Sequence, residues 1–569
     1  MSYRAPLVDF QFLMEKVAGF PHVQATDRFA EATADVSSAI LVEAGKLSEG
    51  TLAPLNREGD LQPAVLENGV VRTSPGFAAA YGQIAEGGWT SINASPEHGG
   101  MGLPLTLTTA VNEMFSGACL SLQLNPLMTQ GQIEALEAHA SDALKDLYLP
   151  KLISGEWTGT MNLTEPQAGS DVGALQSKAV DNGDGTYAIT GQKIYISWAD
   201  HDMAENICHL VLARLPDAAP GTKGISLFMV PKRLPNADGS LGVANSLKVV
   251  SLEHKLGLHG SPTAVMQYDG ATGWLVGQPN KGMAAMFTMM NNARLGVGTQ
   301  GIGVAEAATQ KALAYAQDRK QGRAGGSGTI VEHADVRRML ATMRAETYAA
   351  RGIALMNAVA IDMSNATEDA DWAARAALLT PITKAYGTDV GINVANIGVQ
   401  VHGGMGFVEE TGAAQYLRDV RVTAIYEGTN GIQAMDLVGR KLIDGGEAVA
   451  RLLEEIEDGA EAARAALPDL AKPLWQASEN LREVTEWLVS QDMDTRFAGA
   501  VPYLTAFARV LGGHVHLASA MAEGGTGPRT ALARFFMNRL LPEHTGLLAQ
   551  ARTGAEDIFA LSADDLAVA

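Results

Sequence analysis

The stretch QVHGGMGFVEETGAAQYLRDVRVTAIYEGTNGIQAMDLVGRK, residues 400–441, decides how the rest of the chain is interpreted. At its centre Glu427 stands between an aromatic residue and a glycine, after an apolar run and before a segment with helical spacing. Gly428 relaxes the limits on the backbone next to this carboxylate, and Thr429 or Asn430 is suited to cap the helix that follows. A glutamate directed into an apolar pocket has a raised pKa, because burial disfavours its charged form, and so suits a general base near neutral pH.

The same spacing allows a purely structural role, in which Glu427 ends a helix or pairs with an arginine such as Arg418 or Arg421. Spacing alone favours that structural role, since perturbed carboxylates also occur in ordinary ion pairs. Resemblance to a known family favours a catalytic role. The segment IYEGTNGIQ, residues 425–433, resembles IYEGTSQIQ of the acyl-CoA dehydrogenases, and QVHGGMGF, residues 400–407, resembles the Q-x-x-GG-x-GF segment upstream of it in that family. In the family this glutamate abstracts the α-proton of an acyl-CoA, so the resemblance assigns that step to Glu427.

A chain of 569 residues is too long for a single core, so three or four domains are predicted. Hydrophobic residues make up 47% and charged residues 18%, which predicts a globular and soluble protein. The formal net charge of −21 argues against nucleic acid or an anionic membrane as the main partner. Cys119 and Cys208 are too few for a disulfide framework. Asp9, Glu15 and Lys16 interrupt the first apolar run, so no secretory signal or membrane span is predicted and a cytoplasmic location is expected.

Changes in residue pattern divide the chain into segments. Helical spacing prevails at first, a glycine-rich hairpin signal and short runs of strand type follow, and helical spacing then returns. The predicted segments are an N-terminal helical domain (1–160), a middle β domain (161–280), a four-helix bundle with the catalytic glutamate (281–445) and a C-terminal helical extension (446–569). The bundle is expected to hold long helices at about 281–321, 333–363, 370–402 and 411–443.

The predicted fold class is therefore mainly α with a central β domain. The resemblance implies the same plan, with an N-terminal helical domain, a middle β-barrel-like domain and a C-terminal four-helix bundle. The helical C-terminal extension is an addition to that core.

A second motif, MNLTEPQAGSD, spans residues 161–171 and is similar to the TEP-x-AGSD loop of the family. Its proline and glycine favour a rigid loop that a planar ring can approach closely. The resemblance implies that Leu163, Thr164 and Ser170 contact FAD. Without the resemblance, this segment is an ordinary turn that leads into a β domain.

A third motif, GQKIYIS at residues 191–197, resembles the family's GxKxWITN strand. Tyr195 replaces the usual tryptophan and Ser197 the usual threonine. Two residues that are two positions apart share one face of a strand. The resemblance therefore implies that Tyr195 lies near the flavin ring and that Ser197 forms a hydrogen bond with it. An ordinary strand is the alternative.

The segment Asp318–Gln321 resembles the family's ERKxFG, in which the arginine reaches the FAD pyrophosphate of a neighbouring subunit. A guanidinium suits phosphate oxygens, so Arg319 and Gln321 are candidates for that contact. Residues 322–326 lack the phenylalanine of the family motif. A solvated helix end is the alternative for both side chains. The remaining residues expected to contact FAD lie in the segments QVHGGMGF and IYEGTNGIQ: Gln400, Gly404 and Thr429.

Arg294 matches the D-x-x-R of the family, which contacts the acyl-CoA, although Asn291 replaces the aspartate. An arginine on a helix surface is the alternative. The other residues expected to bind substrate are Ser170, Tyr426 and Gly428.

Two further patterns are not taken as sites. Residues 296–301 fit G-x-G-x-x-G, but a helical pattern precedes them rather than a strand, so they predict close helix packing instead of a dinucleotide site. The histidines at His514 and His516, and the Cys208–His209 pair, are too isolated to predict a metal site.

The resemblance implies an FAD-dependent acyl-CoA dehydrogenase that forms a 2,3-enoyl-CoA and passes electrons to an electron-transfer flavoprotein. The thioester carbonyl is expected to accept a hydrogen bond from the backbone N–H of Glu427. The resemblance also implies a homodimer or a dimer of dimers. The C-terminal extension and the segment at residues 253–263 resemble the branch of the family that acts on 3-methylmercaptopropionyl-CoA, which is the expected substrate.

Three alternatives stay open at this point. A straight-chain fatty acyl-CoA is the alternative substrate. An acyl-CoA oxidase shares the same site but reacts directly with oxygen. A non-enzymatic flavoprotein of the same fold that binds nucleic acid is the third, and the acidic C-terminal extension lacks the basic surplus that such binding needs.

Overall fold

The computed structural model describes residues 3–322 and 326–567. The first helices are α1 (Leu7–Lys16), α2 (Phe20–Gln24), α3 (Ala34–Leu47), α4 (Ala53–Leu61), α5 (Phe77–Glu86), α6 (Leu105–His139) and α7 (Asp142–Ile153). The strands are β1 (Val65–Glu67), β2 (Val70–Arg72), β3 (Trp157–Asn162), β4 (Lys178–Asp181), β5 (Tyr187–Ser197), β6 (Asn206–Ala213), β7 (Ser226–Pro231), β8 (Arg233–Pro235), β9 (Leu241–Ala244), β10 (Leu247–Leu252) and β11 (Thr263–Val276).

Helices fill the rest of the described chain. They are α8 (Gly282–Asp318), α9 (Ala334–Thr367), α10 (Ala370–His402), α11 (Gly404–Phe407), α12 (Ala413–Val420), α13 (Asn430–Asp436), α14 (Glu447–Ala463), α15 (Pro468–Val489), α16 (Met493–Ala498), α17 (Ala500–Ala522), α18 (Pro528–Arg539), α19 (Glu543–Ala551), α20 (Glu556–Ala560) and α21 (Ala563–Leu566). No described helix combines the length and the apolar character that a membrane span requires. The mainly α fold class with a central sheet is confirmed.

Contacts divide the chain into two units, one formed by Pro6–Ala39 with Val297–Ala569 and the other mainly by Ile40–Gly296. We call them the bundle unit and the sheet unit. The four segment boundaries drawn from the sequence stay predictions.

The sheet unit is built around seven strands of the described chain in the order β3-β6-β7-β11-β5-β4, with β10 paired to β11. Strands β3 and β6 are parallel, and the other neighbours in this sheet are antiparallel. The long β11 joins two halves, since its last residues pair with β7 and its earlier ones with β5 and β10. The predicted hairpin is confirmed, because β4 and β5 pair and the N–H of Asn182 donates to the Thr186 carbonyl at 3.0 Å.

In the bundle unit, glycines bring α8 and α10 into close contact. A Cβ added to Gly301 would lie 2.3 Å from the Gly387 carbonyl oxygen, and one added to Gly391 would lie 2.7 Å from the Gly301 carbonyl oxygen. The helices pack this closely because neither side has a side chain there. The prediction that the G-x-G-x-x-G pattern serves helix packing is therefore confirmed.

The predicted fourth long helix, at 411–443, is wrong. The chain instead forms short helices, with α12 ending at Val420 and α13 starting at Asn430. Glu427 and Gly428 have φ values of +57° and +81°, which a right-handed helix cannot include. The helical spacing of the apolar residues concealed this break, and the break places Glu427 in a turn.

The C-terminal extension packs against α9 of the bundle. Gly445 and Gly446, with φ values of +79° and +86°, end the preceding segment. The Arg509 guanidinium on α17 then pairs with Glu346 on α9 at 2.5 Å and approaches the Tyr386 hydroxyl at 3.2 Å. These buried contacts tie the extension to the bundle within one unit.

Candidate active site

The turn between α12 and α13, residues 426–430, carries the candidate base of the bundle unit. Glu427 is half-buried and adopts a left-handed backbone, which costs a non-glycine residue about 1–2 kcal/mol. Gly428 follows with a second positive φ, and a Cβ there would lie 2.8 Å from Nε2 of Gln433. The Thr429 hydroxyl accepts a hydrogen bond from the Ile432 N–H at 3.3 Å, so Thr429, rather than Asn430, caps α13. The turn thus presents Glu427 from a fixed and strained backbone.

Tyr426 anchors the first residue of this turn. Its hydroxyl donates a hydrogen bond to Oε1 of Gln300, a fully buried residue on α8. Burial, together with the charge of nearby Glu427, raises the pKa of Tyr426 well above its ordinary value, so the tyrosine stays a neutral donor. The aromatic ring is therefore held beside the carboxylate.

Gln433 supports the turn from α13. Its side chain is fully buried, and its Nε2 donates to the carbonyls of Glu427 and Gly428 at 3.3 and 3.4 Å. Spacing in the sequence did not single out Gln300 or Gln433. The signal available for Gln300 was a polar side chain in an otherwise apolar helical stretch, and the signal for Gln433 was its place at the end of the matched segment 425–433.

Arg418 and Arg421 are the two arginines that the sequence offered as ion-pair partners of Glu427. Arg418 pairs with Glu409, with Nη2 2.8 Å from Oε2, and Arg421 is exposed at the end of α12. Glu427 also does not end a helix, since it lies after the short turn of residues 421–424 and before α13.

A second feature of the bundle unit is a cavity of about 360 Å³. It brings together three of the residues expected to contact FAD, namely Arg319, Gln321 and Gly404. Gln400 is exposed on the last turn of α10 and is not among the described residues that line this cavity. Residues 323–325, part of the stretch that lacks the phenylalanine of the family, lie outside the described residues.

The chemistry of this cavity fits part of a dinucleotide. Tyr315 and His402 stack with ring centroids 4.5 Å apart, which gives a flat aromatic surface. His402 Nδ1 donates to the Gly398 carbonyl at 2.7 Å, and burial lowers the pKa of this histidine, so its ring is neutral. A Cβ on Gly403 or Gly404 would meet no heavy atom of the described residues within 4 Å, so the backbone is open to a ligand. With the Arg319 guanidinium, these groups suit a phosphate-bearing cofactor.

In the sheet unit, a buried ion pair fixes the loop of the second motif. Lys193 on β5 is fully buried, and its Nζ donates to Glu165 at 2.8 Å and to the Leu163 carbonyl at 3.0 Å. The N–H groups of Gln176 and Ser177 donate to the same carboxylate at 2.7 and 3.1 Å. The loop is therefore held through its acidic residue.

The charge and burial of Glu165 and Lys193 determine whether each side chain is protonated. Burial works to raise the pKa of Glu165, but the Lys193 ammonium and the hydrogen bonds outweigh it and lower that pKa to about 2. Burial lowers the pKa of Lys193 to about 8, although the neighbouring carboxylate opposes the shift. Both side chains are therefore charged at neutral pH. The sequence motifs contained both residues but gave no sign that they pair.

The residues of this loop that are expected to contact FAD differ in exposure. Leu163 and Thr164 are partly buried, and the Thr164 carbonyl accepts a hydrogen bond from the Ile194 N–H at 2.9 Å. Ser170 is exposed, next to Asp171, whose side chain accepts from the Gly173 N–H at 3.0 Å. Strand β5 and the loop are thus joined directly.

Tyr195 and Ser197 lie at a β-bulge. The pairing of β5 with β11 skips from Lys193–Met266 to Ile196–Ala264, so Ile194 and Tyr195 together oppose one residue. Tyr195 has a φ of +60° and is 62% exposed, whereas Ile196 is buried. Ser197 is again less buried than Ile196. Both candidate side chains therefore lie away from the strand's core face, but the bulge rather than simple alternation puts them there.

Arg294 lies on α8 and is 6% exposed. The alternative of an arginine on a helix surface is therefore wrong. A buried guanidinium requires nearby polar or charged partners, which suits either a structural ion pair or a substrate contact.

Four domain models match the chain in succession. They are the N-terminal domain of acyl-CoA dehydrogenase at 61–156, its middle domain at 160–271, its C-terminal domain at 280–443 and "Acetyl-CoA dehydrogenase C-terminal like" at 452–562.

Individual proteins match over most of their length. The chain is 46% identical to the 3-methylmercaptopropionyl-CoA dehydrogenase of Ruegeria pomeroyi, over 89% of this chain and 88% of that protein. It is 32% identical to the broad-specificity linear acyl-CoA dehydrogenase FadE5 of Mycobacterium tuberculosis, over 98% of this chain and 99% of that protein. Caenorhabditis elegans ACDH-11, solved in complex with C11-CoA, superimposes with a TM-score of 0.81 over 95% of this chain and 92% of its own, and its 21% identity supports the fold alone.

These likenesses extend from the N-terminal helices through the sheet and the bundle into the extension. They agree with the turn that carries Glu427 and with a cavity that suits part of a dinucleotide. The chain belongs to the acyl-CoA dehydrogenase family and is an FAD-dependent oxidoreductase.

Proposed function

We propose that this enzyme converts 3-methylmercaptopropionyl-CoA to its 2,3-enoyl product, methylthioacryloyl-CoA, with Glu427 as the base. The observation that supports this substrate most is the 46% identity to the Ruegeria pomeroyi enzyme over nearly the full length of both chains. This substrate would give the enzyme a role in dimethylsulfoniopropionate catabolism. The expected location is the cytoplasm.

Glu427 takes the proton from the α-carbon of the bound thioester. The backbone N–H of Glu427 donates a hydrogen bond to the thioester carbonyl and so stabilises the enolate that develops as the proton leaves. The left-handed backbone at Glu427 and Gly428 supports this assignment, because it turns both the carboxylate and the peptide group away from a helical ladder. FAD, when bound, supplies the acceptor for the hydride that leaves the β-carbon.

Four residues are proposed to contact the substrate, namely Ser170, Arg294, Tyr426 and Gly428. Arg294 is buried and carries the positive charge that suits an acyl-CoA ligand. The N–H of Gly428 adds a neutral donor close to Glu427.

The residues proposed to hold FAD are those of the family motifs: Leu163, Thr164, Ser170, Tyr195, Ser197, Arg319, Gln321, Gln400, Gly404 and Thr429. As in the family, Arg319 would reach the cofactor of a neighbouring subunit, so we propose a homodimer or a dimer of dimers. An electron-transfer flavoprotein is the proposed acceptor.

A straight-chain acyl-CoA is the second candidate substrate. The 32% identity to FadE5 over 98% of this chain favours it. Methionine side chains suit a thioether substrate, but those in the first turns of α8 do not decide between the two substrates. Met286 and Met289 are fully buried in the core of the sheet unit, and Met283 and Met290 pack against that core, so all four serve as core residues.

Anaerobic bleaching of the flavin by a panel of acyl-CoAs tests the proposed substrate. The expected result is a kcat/KM for 3-methylmercaptopropionyl-CoA equal to or above that for butyryl-CoA and octanoyl-CoA. A strong preference for octanoyl-CoA would overturn the proposal in favour of the straight-chain candidate. Admitting air to the reduced enzyme separates the oxidase alternative, which predicts rapid reoxidation without an electron-transfer flavoprotein.

A further inference from the structure

Asn430 lies three residues after Glu427, and both ends of its side-chain amide form hydrogen bonds to α10. Its Nδ2 donates to Asp389 Oδ1 at 2.7 Å, to Thr388 Oγ1 at 2.9 Å and to the Ala385 carbonyl at 3.2 Å. Its Oδ1 accepts from Lys384 Nζ at 2.9 Å. The amide thus stands between a cation and an anion on one helix.

We infer that Asn430 is a positioning residue for Glu427, because it bridges Lys384 and Asp389 and so fixes the C-terminal end of the turn 426–430 on α10. The inference rests on the proposed role of Glu427 as the base. The sequence motif did not indicate it, since the family segment quoted above has serine at this position.

The chemistry of the bridge suits a carboxamide. Lys384 is fully buried and Thr388 beside it is fully buried as well, so both need partners within the protein. An amide offers an acceptor oxygen to the ammonium and, from a separate nitrogen atom, two donor N–H groups to the carboxylate and its neighbours. A serine hydroxyl has one donor proton and a shorter reach, so it cannot make all of these contacts.

The bridge matters for Glu427 because the turn is strained. A left-handed backbone at a non-glycine residue persists only where the surroundings hold it. Tyr426 holds the first end of the turn through Gln300, and Gln433 holds the carbonyls of Glu427 and Gly428. Asn430 supplies the remaining anchor. Without it, the turn is free to relax and the carboxylate spends less time in its reactive position.

Asn430→Ala is the main test, measured as the rate of anaerobic flavin reduction at saturating 3-methylmercaptopropionyl-CoA and, in parallel, butyryl-CoA. Loss of the bridge is expected to lower the saturating rate about tenfold, with KM and FAD content within about twofold of the wild type, because Tyr426 keeps its bond to Gln300 and the Thr429 hydroxyl keeps its bond from the Ile432 N–H. Asn430→Ser keeps one hydrogen-bond donor, so its saturating rate is expected to lie between those of Asn430→Ala and the wild type. A saturating rate for both variants equal to that of the wild type would overturn the inference.

A matched control is available on α9, another helix that packs against α10. Asn357 on α9 is fully buried, and its Nδ2 donates to Thr380 on α10 at 3.4 Å. Asn357→Ala removes a buried amide of the same kind far along the chain from the turn. It is expected to lower thermal stability while leaving the saturating rate within about twofold of the wild type. An equal loss of rate in this control would make the Asn430 effect a general loss of stability and overturn the inference.

The double variant separates the inference from the proposed function. If Asn430 acts through Glu427, adding Asn430→Ala to Glu427→Gln changes the residual rate by less than about twofold. Multiplication of the two losses would instead assign Asn430 a role independent of the base and refute the inference. Wild-type flavin reduction by Glu427→Gln alone would overturn the base itself, whereas a slow Glu427→Gln with a fast Asn430→Ala overturns only the positioning role.

Discussion

Replacing Lys193 by methionine tests whether the buried pair with Glu165 fixes the loop proposed to contact the flavin. Lys193 is fully buried and the Glu165 side chain is 4% exposed, so solvent screens this pair very little. The substitution removes two charge-assisted hydrogen bonds, those to Glu165 at 2.8 Å and to the Leu163 carbonyl at 3.0 Å. Removing one partner of a buried ion pair costs about 3–5 kcal/mol of stability.

Two remaining contacts set the expected value near the lower end of that range. The N–H groups of Gln176 and Ser177 still donate to the Glu165 carboxylate after the substitution. We therefore expect Lys193→Met to lower the free energy of unfolding of the sheet unit by about 3 kcal/mol. FAD affinity is expected to fall at least about tenfold, because Leu163 loses the bond that holds its carbonyl.

Urea denaturation and equilibrium dialysis of FAD measure the two effects. Lys151→Met is the matched control, since Lys151 pairs with Glu156 at the surface of the same unit with side-chain exposures of 32% and 46%. Such exposed pairs contribute under about 1 kcal/mol, so the control should keep its stability and its FAD. If Lys193→Met behaves like the control in both assays, the pair does not position the loop.

Three further outcomes follow from the same structure. The stability contribution of Glu165 is present above its ordinary pKa of 4.5 and is lost as pH falls toward about 2. The free energy of unfolding of the wild type should therefore fall more steeply over that pH window than that of Glu165→Gln, and parallel pH curves would contradict this. Arg319→Ala is expected to weaken both FAD retention, measured by dialysis, and dimer formation, measured by ultracentrifugation. The lost phosphate contact contributes about 1.5–3 kcal/mol to FAD binding, and unchanged FAD affinity would make Arg319 a surface residue. Gly428→Ala places a Cβ 2.8 Å from Gln433 Nε2 at a φ of +81°, so flavin reduction should slow at least about tenfold, and an unaltered rate would show that the turn tolerates the change.

Local patterns in the sequence predicted the elements whose contacts are near in the chain. The turn signal at Asn182–Gly185 predicted the hairpin, and Gly298 and Gly301 of the glycine pattern lie inside α8 where it meets α10. Spacing alone favoured a structural role for Glu427, and the resemblance to the family favoured the catalytic role. The family and its cofactor are confirmed, while the roles of individual residues stay predictions.

Contacts between distant residues could not be predicted in this way. Lys193 and Glu165 are 28 positions apart, and nothing in either motif indicates that one neutralises the other. The break in the last bundle segment also escaped detection, because apolar spacing continues on both sides of the turn while the backbone at Glu427 and Gly428 reverses its φ. From the sequence, a surface position also stayed open for Arg294. The burial of its side chain could not be predicted, because burial depends on which distant elements pack over that part of α8.

The Glu427→Gln variant tests the central claim most directly. The change keeps the shape of the side chain and removes the base, so the protein should fold, retain FAD and still bind acyl-CoA. Stopped-flow measurement of anaerobic flavin reduction by saturating acyl-CoA should show a rate lower by about 10²–10⁴-fold, the usual contribution of a positioned general base. A variant that bleaches its flavin at nearly the wild-type rate would contradict the account, because another residue would then remove the α-proton.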